Sequence, residues 1–160
     1  MPGVAYDADS LNVEGDMFNL RIRDVLDKSR LIKATPDMTV SAAAKLMAFE
    51  QVGAVVVLDA GRLSGIFTER DVVFRVVAPD LDPSTTRLSA VMTPAPLTIE
   101  ASKSFGYALL LMHENRFRHL PVIDGGVLIG MVSARHALDP ELEEFVVETQ
   151  RRAHFRDEAD

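Results

Sequence analysis

The apolar positions of this chain run through one pattern and then run through it again. Leu31-Ile32-Lys33-Ala34 is a short apolar run before Thr35-Pro36-Asp37, and it predicts a strand leading to a helix start. From Thr39, apolar residues Val40, Ala43, Ala44, Met47 and Ala48 recur at helical spacing and close near Gly53. The β-branched run Val55-Val56-Val57-Leu58 predicts a buried strand. Asp59-Ala60-Gly61 then makes a turn, and Leu63 to Phe67 the returning strand of a hairpin. Thr68 caps a helix expected to reach about Val77, before Pro79.

The second run keeps the order. Leu97-Thr98-Ile99 predicts the short strand and Ser104 to about Arg116 the helix. Leu120 to Ile123 and Val127 to Val132 flank Asp124-Gly125-Gly126, a stronger hairpin signal than its counterpart. Ser133 caps the next helix. Asp139-Pro140-Glu141 is a fresh start, with a capping residue, a first-position Pro and an acid. Leu142, Phe145, Val146 and Thr149 share a face, which predicts a C-terminal helix of about 14 residues. The first 17 residues are polar and are expected to be loose or accessory.

The two runs align residue for residue at a spacing of 65, from Ala34–Asp71 to Ile99–His136. No gap is needed, and nine of 38 positions are identical: Ala43, Leu46, Met47, Val57, Asp59, Gly61, Leu63, Gly65 and Arg70. Such a repeat dictates the architecture. It predicts an α+β fold, an α/β sandwich of two β-α-β-β-α units around a pseudo-twofold axis. The expected boundaries are 1–20 for the leading segment, 21–80 and 81–138 for the two units, and 139–160 for the last helix and acidic tail. Pro79 to Pro83 links the units. Each copy alone would bury too little surface to be robust, so the pair should fold as one module.

Composition narrows the function. Hydrophobic residues are 48% and charged residues 26%, the balance of a soluble globular protein. There is no Cys, so neither a disulfide framework nor thiolate chemistry is available. Without a signal core or a membrane-spanning run, a cytoplasmic protein is expected. The net charge of −7 sits at the ends, with −4 over residues 1–27, −4 over 141–160 and +1 between them. An acidic total disfavours nucleic acid but leaves room for a small anion held locally.

The candidate chemistry lies where each hairpin ends, at Thr68-Glu69-Arg70-Asp71 and at Ser133-Ala134-Arg135-His136. A Thr followed three residues later by an acid is a capping box, which needs no ligand. The same helix start also offers N–H groups and a hydroxyl to a phosphate, and a carboxylate to both hydroxyls of a ribose. His136 cannot act as a paired acceptor for a diol, so the second site is weakened, reads another group, or is only an exposed helix residue. Arg118 and His119 open the strand Leu120–Ile123, where Gly53 and Ala54 stand in the first copy. They are phosphate ligands, or a solvated Arg beside a core-edge His. Arg70 and Arg135 occur in both copies and bind phosphate or project to solvent. Met47 and Met112 read as core packing. The spacing of His113, His119, His136 and His154 suits no metal, and no nucleophile–base pair or phosphate loop suggests an enzyme.

Taken with the repeat, Gly65-Ile66-Phe67-Thr68-Glu69-Arg70-Asp71, Gly130-Met131-Val132-Ser133-Ala134-Arg135-His136 and Leu120-Pro121-Val122-Ile123-Asp124 resemble the CBS domain. Residues from about Arg21 to Ala137 resemble a tandem CBS pair, or Bateman module, of the small bacterial stand-alone kind. The resemblance implies a non-enzymatic regulatory module with an adenine nucleotide (AMP, ADP, ATP or NAD(H)) in a cleft between the repeats. It implies that Asp71 grips the ribose and that Arg118 and His119 contact phosphate, as a His-Arg pair does in the regulatory subunit of AMP-activated kinase. Thr68, Arg70, Ser133, Arg135 and His136 complete the expected nucleotide site. No cofactor is required beyond that regulatory ligand. Apolar helix positions Val72, Val73, Val76, Leu109 and Leu110 suggest a homodimer that signals to a protein partner. The alternative is a dimeric interaction scaffold whose ligand sites are vestigial.

Overall fold

A computed structural model describes residues 18–26 and 31–138. In chain order the elements are α1 (Ile22–Val25), β1 (Lys33–Ala34), α2 (Val40–Glu50), β2 (Ala54–Asp59), β3 (Arg62–Thr68) and α3 (Glu69–Asp71). A π-helix over Val72–Val77 follows directly. Next come α4 (Leu88–Val91), β4 (Thr93–Pro94), β5 (Ile99–Glu100), α5 (Phe105–Asn115), β6 (His119–Asp124) and β7 (Val127–Ser133). A 3₁₀ turn over Ala134–Leu138 closes the described chain. The expected C-terminal helix and the polar leading segment lie outside the described residues, which hold no helix long and apolar enough to cross a membrane.

Both long helices start and stop by the same devices. Thr39 accepts from the Ala42 N–H and Ser104 from the Tyr107 N–H, each at 3.2 Å, which satisfies a donor the first turn leaves orphaned. Gln51 (φ 56°) and Arg116 (φ 57°) then enter the left-handed region and end the helices. The first helix thus ends two residues before the glycine that seemed to close it.

Strand order is β1-β2-β3-β4 in one sheet and β5-β6-β7 in the other. β1 runs parallel to β2, with Lys33 opposite Val56, while β2 and β3 form an antiparallel hairpin. Its turn needs positive φ at Ala60 (47°) and Gly61 (77°); the second hairpin meets the same need with Gly125 (57°) and Gly126 (82°). Two glycines adopt that turn without the Cβ clash an Ala suffers, which is why the second hairpin reads more strongly. A Cβ on Gly65 would collide with the Met92 side chain and lie 3.0 Å from the Thr93 carbonyl, so β4 can approach β3 only over a glycine.

The segment after Thr68 departs from expectation. A regular helix to Val77 was predicted, but after Asp71 the hydrogen bonds lengthen to i→i+5, as in Ala78 N–H to Val73 O (2.9 Å). The wider turn carries Val76 inward against Val40, Ala43, Met47 and Leu88, leaving it 1% exposed. Val76 is therefore core, a correction to its expected exposure. Val72 and Leu109 are half-buried, and Val73 and Leu110 are exposed as expected.

Two short helices, unforeseen in the sequence, exchange partners between the copies. Ile22 N–H bonds Lys103 O, Arg23 N–H bonds Ala101 O, and Phe105 N–H bonds Leu20 O, at 2.8–3.0 Å. Leu88 N–H bonds Met38 O, Ser89 N–H bonds Pro36 O, and Val40 N–H bonds Thr86 O, at 2.9–3.1 Å. α1, which precedes the first copy, is thus stitched to the helix start of the second, while α4 is stitched to that of the first. Each inserts one fully buried residue, Ile22 or Leu88. The compact groups of residues interleave the copies accordingly: one gathers 18–26, 99–120 and 132–138, the other 31–98 and 121–131.

Candidate functional site

Each candidate site forms where a strand mouth is tied to a helix start. In the first copy Ala54 pairs with Thr68, and the Glu69 N–H bonds Gly53 O at 3.0 Å. In the second the Ala134 N–H bonds Arg118 O at 3.0 Å. This one bond brings Arg118 and His119 beside Ser133, Arg135 and His136, and sets Gly53 and Ala54 beside Thr68, Arg70 and Asp71.

Asp71 is the one buried charged residue among those described, 7% exposed. Its Oδ2 accepts from the Thr68 N–H at 2.9 Å and from the Thr68 hydroxyl at 3.2 Å. That is the reciprocal half of a capping box. Its Oδ1 faces Arg75 Nε at 3.4 Å, and Arg75 Nη1 donates to the carbonyls of Val91 (3.1 Å) and Met92 (2.9 Å). The capping role of Asp71 is therefore real, and a ligand would have to share the carboxylate with it. Arg75 was missed in the sequence, although its spacing of four from an acid on one helix face was a legible signal. Arg70 is exposed and lies over the Phe74 ring at 5.2 Å.

The second copy builds the same turn with another group. The Ser133 N–H donates to His136 Nδ1 at 2.9 Å, the length of the Asp71 bond. His136 is half-buried, which corrects the expectation of a merely exposed helix residue. The same Nδ1 lies 3.2 Å from the Ser133 carbonyl, and the tautomer in which it accepts the N–H carries its ring proton on Nε2. The Ser133 hydroxyl lies 3.4 Å from the same nitrogen. Where the first copy presents a buried carboxylate, the second presents an imidazole that can donate through its far side.

His119 is half-buried, and its pKa is pushed down to about 4, first by burial and then by the nearby His136, Arg118 and Arg135. It is neutral at neutral pH, so it can offer a phosphate a hydrogen bond but no charge. Arg118 and Arg135 are both exposed and form no ion pair with a described acid. Among the described residues, no group of three or more His, Asp or Glu could hold a metal ion.

An apolar groove lies away from these residues. An open hollow of about 410 Å³ runs between α2 and the π-helix, lined by Val40, Ala44, Val72, Val76 and Val77 among others. None of the candidate site residues lines it.

A duplicated strand–helix–hairpin–helix unit, each copy led by a short helix at Ile22 or Leu88, is the plan of the CBS domain, and the model of that family matches residues 22–78 and 88–141. The chain belongs to the CBS-domain family. The CBS domain-containing protein CBSCBSPB1 of Arabidopsis thaliana is 39% identical over 111 residues, 69% of this chain but only 20% of its own length. A solved CBS-domain protein from Burkholderia ambifaria MC40-6, described as a signal-transduction protein, superposes with a TM-score of 0.71 at 35% identity, covering 74% of this chain and 91% of its own. A hexameric CBS-CP12 protein from bloom-forming cyanobacteria gives 0.69 at 27% identity, over 76% of this chain and 67% of the other.

Proposed function

We propose that this tandem CBS pair is a non-enzymatic regulatory module that binds an adenine nucleotide and signals its occupancy to a partner. The observation that carries the reading is Asp71. A buried carboxylate at a helix start, beside the Thr68 hydroxyl, suits the paired hydroxyls of a ribose. The ligand is AMP, ADP, ATP or NAD(H), and the setting is the cytoplasm. The likeness to a signal-transduction protein supports the regulatory part. AMP, ATP or NADH should raise the melting temperature of the wild-type protein, by a few degrees at about 100-fold over Kd. No shift and no calorimetric heat with any of them at millimolar levels would end the proposal.

The open apolar groove favours a second reading, a self-associating scaffold. Val77, which lines it, and its chain neighbours Val73 and Phe74 stand 54–63% exposed, apolar surface that a second copy could cover. The hexameric relative supports self-association. Sedimentation of the full chain and of a variant lacking residues 140–160 separates the readings. A pure scaffold should lose its assembly or its partner on deletion, whereas a nucleotide sensor should keep its thermal shift.

A further inference from the structure

We propose that Arg75 is the residue through which occupancy of Asp71 is passed to α4, the short helix that leads into the second repeat. The inference rests on the reading of Asp71 as a ribose acceptor and adds the route by which occupancy leaves that site.

The route follows from counting acceptor positions. A carboxylate offers about four lone-pair sites. Thr68 takes two on Oδ2, through its N–H and its hydroxyl, and Arg75 Nε faces Oδ1. A ribose diol asks for two more, one beyond what is left. One donor must yield. The Thr68 N–H bond is short at 2.9 Å and closes the turn. The Arg75 contact is the longest of the three, at 3.4 Å, on a side chain 45% exposed. Asp71 is buried but the guanidinium stands half in water, which screens a contact of that length and solvates the cation once it lets go, so Arg75 is the group displaced.

The other end of Arg75 is already committed. Its Nη1 holds Val91 O and Met92 O, at the C-terminal end of α4, where a helix leaves carbonyls without intrahelical partners. Arg75 therefore straps α4 to the candidate site while leaning on Asp71. When Asp71 turns to a diol, the guanidinium loses its anionic anchor and the long side chain regains rotamer freedom, so its hold on the two carbonyls weakens. The released segment is not a free end. It continues into β4, whose Thr93 pairs with Ile66, and then into β5 of the second repeat. Linkage makes the coupling reciprocal: whatever the ligand does to the strap, loss of the strap does to ligand affinity, by the same factor.

Adenosine is the probe, because it carries the diol without phosphate charge to attract Arg75. On saturation, amide exchange at Ala90, Val91 and Met92 of the wild-type protein should rise roughly three- to tenfold. Arg75→Gln should show that faster exchange without ligand and bind adenosine more tightly by a matching factor. Asp71→Asn, which keeps an acceptor for the Thr68 N–H, should also speed exchange at these amides with no ligand present. The double variant should go no further than either single one. Adenosine that binds with exchange unchanged at these amides overturns the inference and leaves the ribose reading standing. If adenosine fails to bind at all, the ribose reading falls and the signal with it. Wild-type exchange in ligand-free Asp71→Asn and Arg75→Gln would remove the strap itself, as would simple addition of their effects.

Discussion

Where its second long strand ends, the first repeat closes its turn with a carboxylate; the second repeat closes the corresponding turn with an imidazole. The bond is the same in both, a backbone N–H donating across 2.9 Å to the side chain three residues on. The chemistry left over differs. Asp71 keeps a second oxygen, which leans on Arg75 and offers acceptor capacity to a ligand. His136 keeps no second acceptor, and its Nδ1 can cap only while unprotonated. Divergence at one residue has thus kept the same capped turn in both repeats while leaving a carboxylate oxygen free to accept in one and an imidazole Nε2 in the other.

Acid is the strongest way to sharpen that contrast. His119 has a folded pKa of about 4 against an ordinary 6.5, so between these values the unfolded chain binds more protons than the native one. Stability should therefore rise with pH from about 4 to 6.5, and acidification should remove up to about 3 kcal/mol across that window. The first repeat has Ala54 in this place and contributes nothing of the kind. Chemical denaturation followed from pH 7 to pH 4 should show the loss, and His119→Asn should flatten it. An unchanged slope in that variant would place the acid sensitivity elsewhere.

The next largest effect belongs to the first repeat. Asp71→Ala removes the cap acceptor of a buried turn and should cost about 1–2 kcal/mol, together with the whole adenosine-dependent thermal shift. His136→Ala should cost about 1 kcal/mol and leave that shift in place. Equal effects of the two substitutions on ligand binding would contradict the asymmetry.

Converting one repeat into the other is gentler. His136→Asp should retain the cap and change stability by less than about 1 kcal/mol. Calorimetry on this variant should show a second equivalent of adenosine; a single equivalent would mean that the cap residue does not select the ligand. The smallest contrast is an exposed ion pair. Arg87 bonds Asp37 at 2.8 Å, while Arg21 and Ser102 occupy the corresponding positions of the other copy. Asp37→Ser should cost below about 0.5 kcal/mol, vanishing in high salt, because both side chains stand in water.

Much of the fold was legible. Thr39 and Ser104 were marked as helix starts by the apolar spacing behind them, and the two hairpins by their β-branched runs and turns. Those signals are local, since a cap or a turn is decided by residues three or four apart. α1 and α4 were not legible, because four-residue helices carry too little periodicity to declare themselves. Their kinship was hidden further by spacing: Arg21-Ile22 matches Arg87-Leu88 at 66 residues, one more than the repeat that announces the rest.

The sequence by itself determined the duplicated unit, the family to which it belongs, and the capping box of Thr68 and Asp71. Each follows from near-neighbour chemistry, so a pattern could show it. Tertiary structure alone decided that each copy borrows the short helix preceding the other, that Val76 turns into the core, and that Arg75 joins Asp71 to α4 across 16 to 17 residues of chain. Those outcomes depend on which buried faces and orphaned carbonyls find partners when distant segments meet, and no local spacing encodes that meeting.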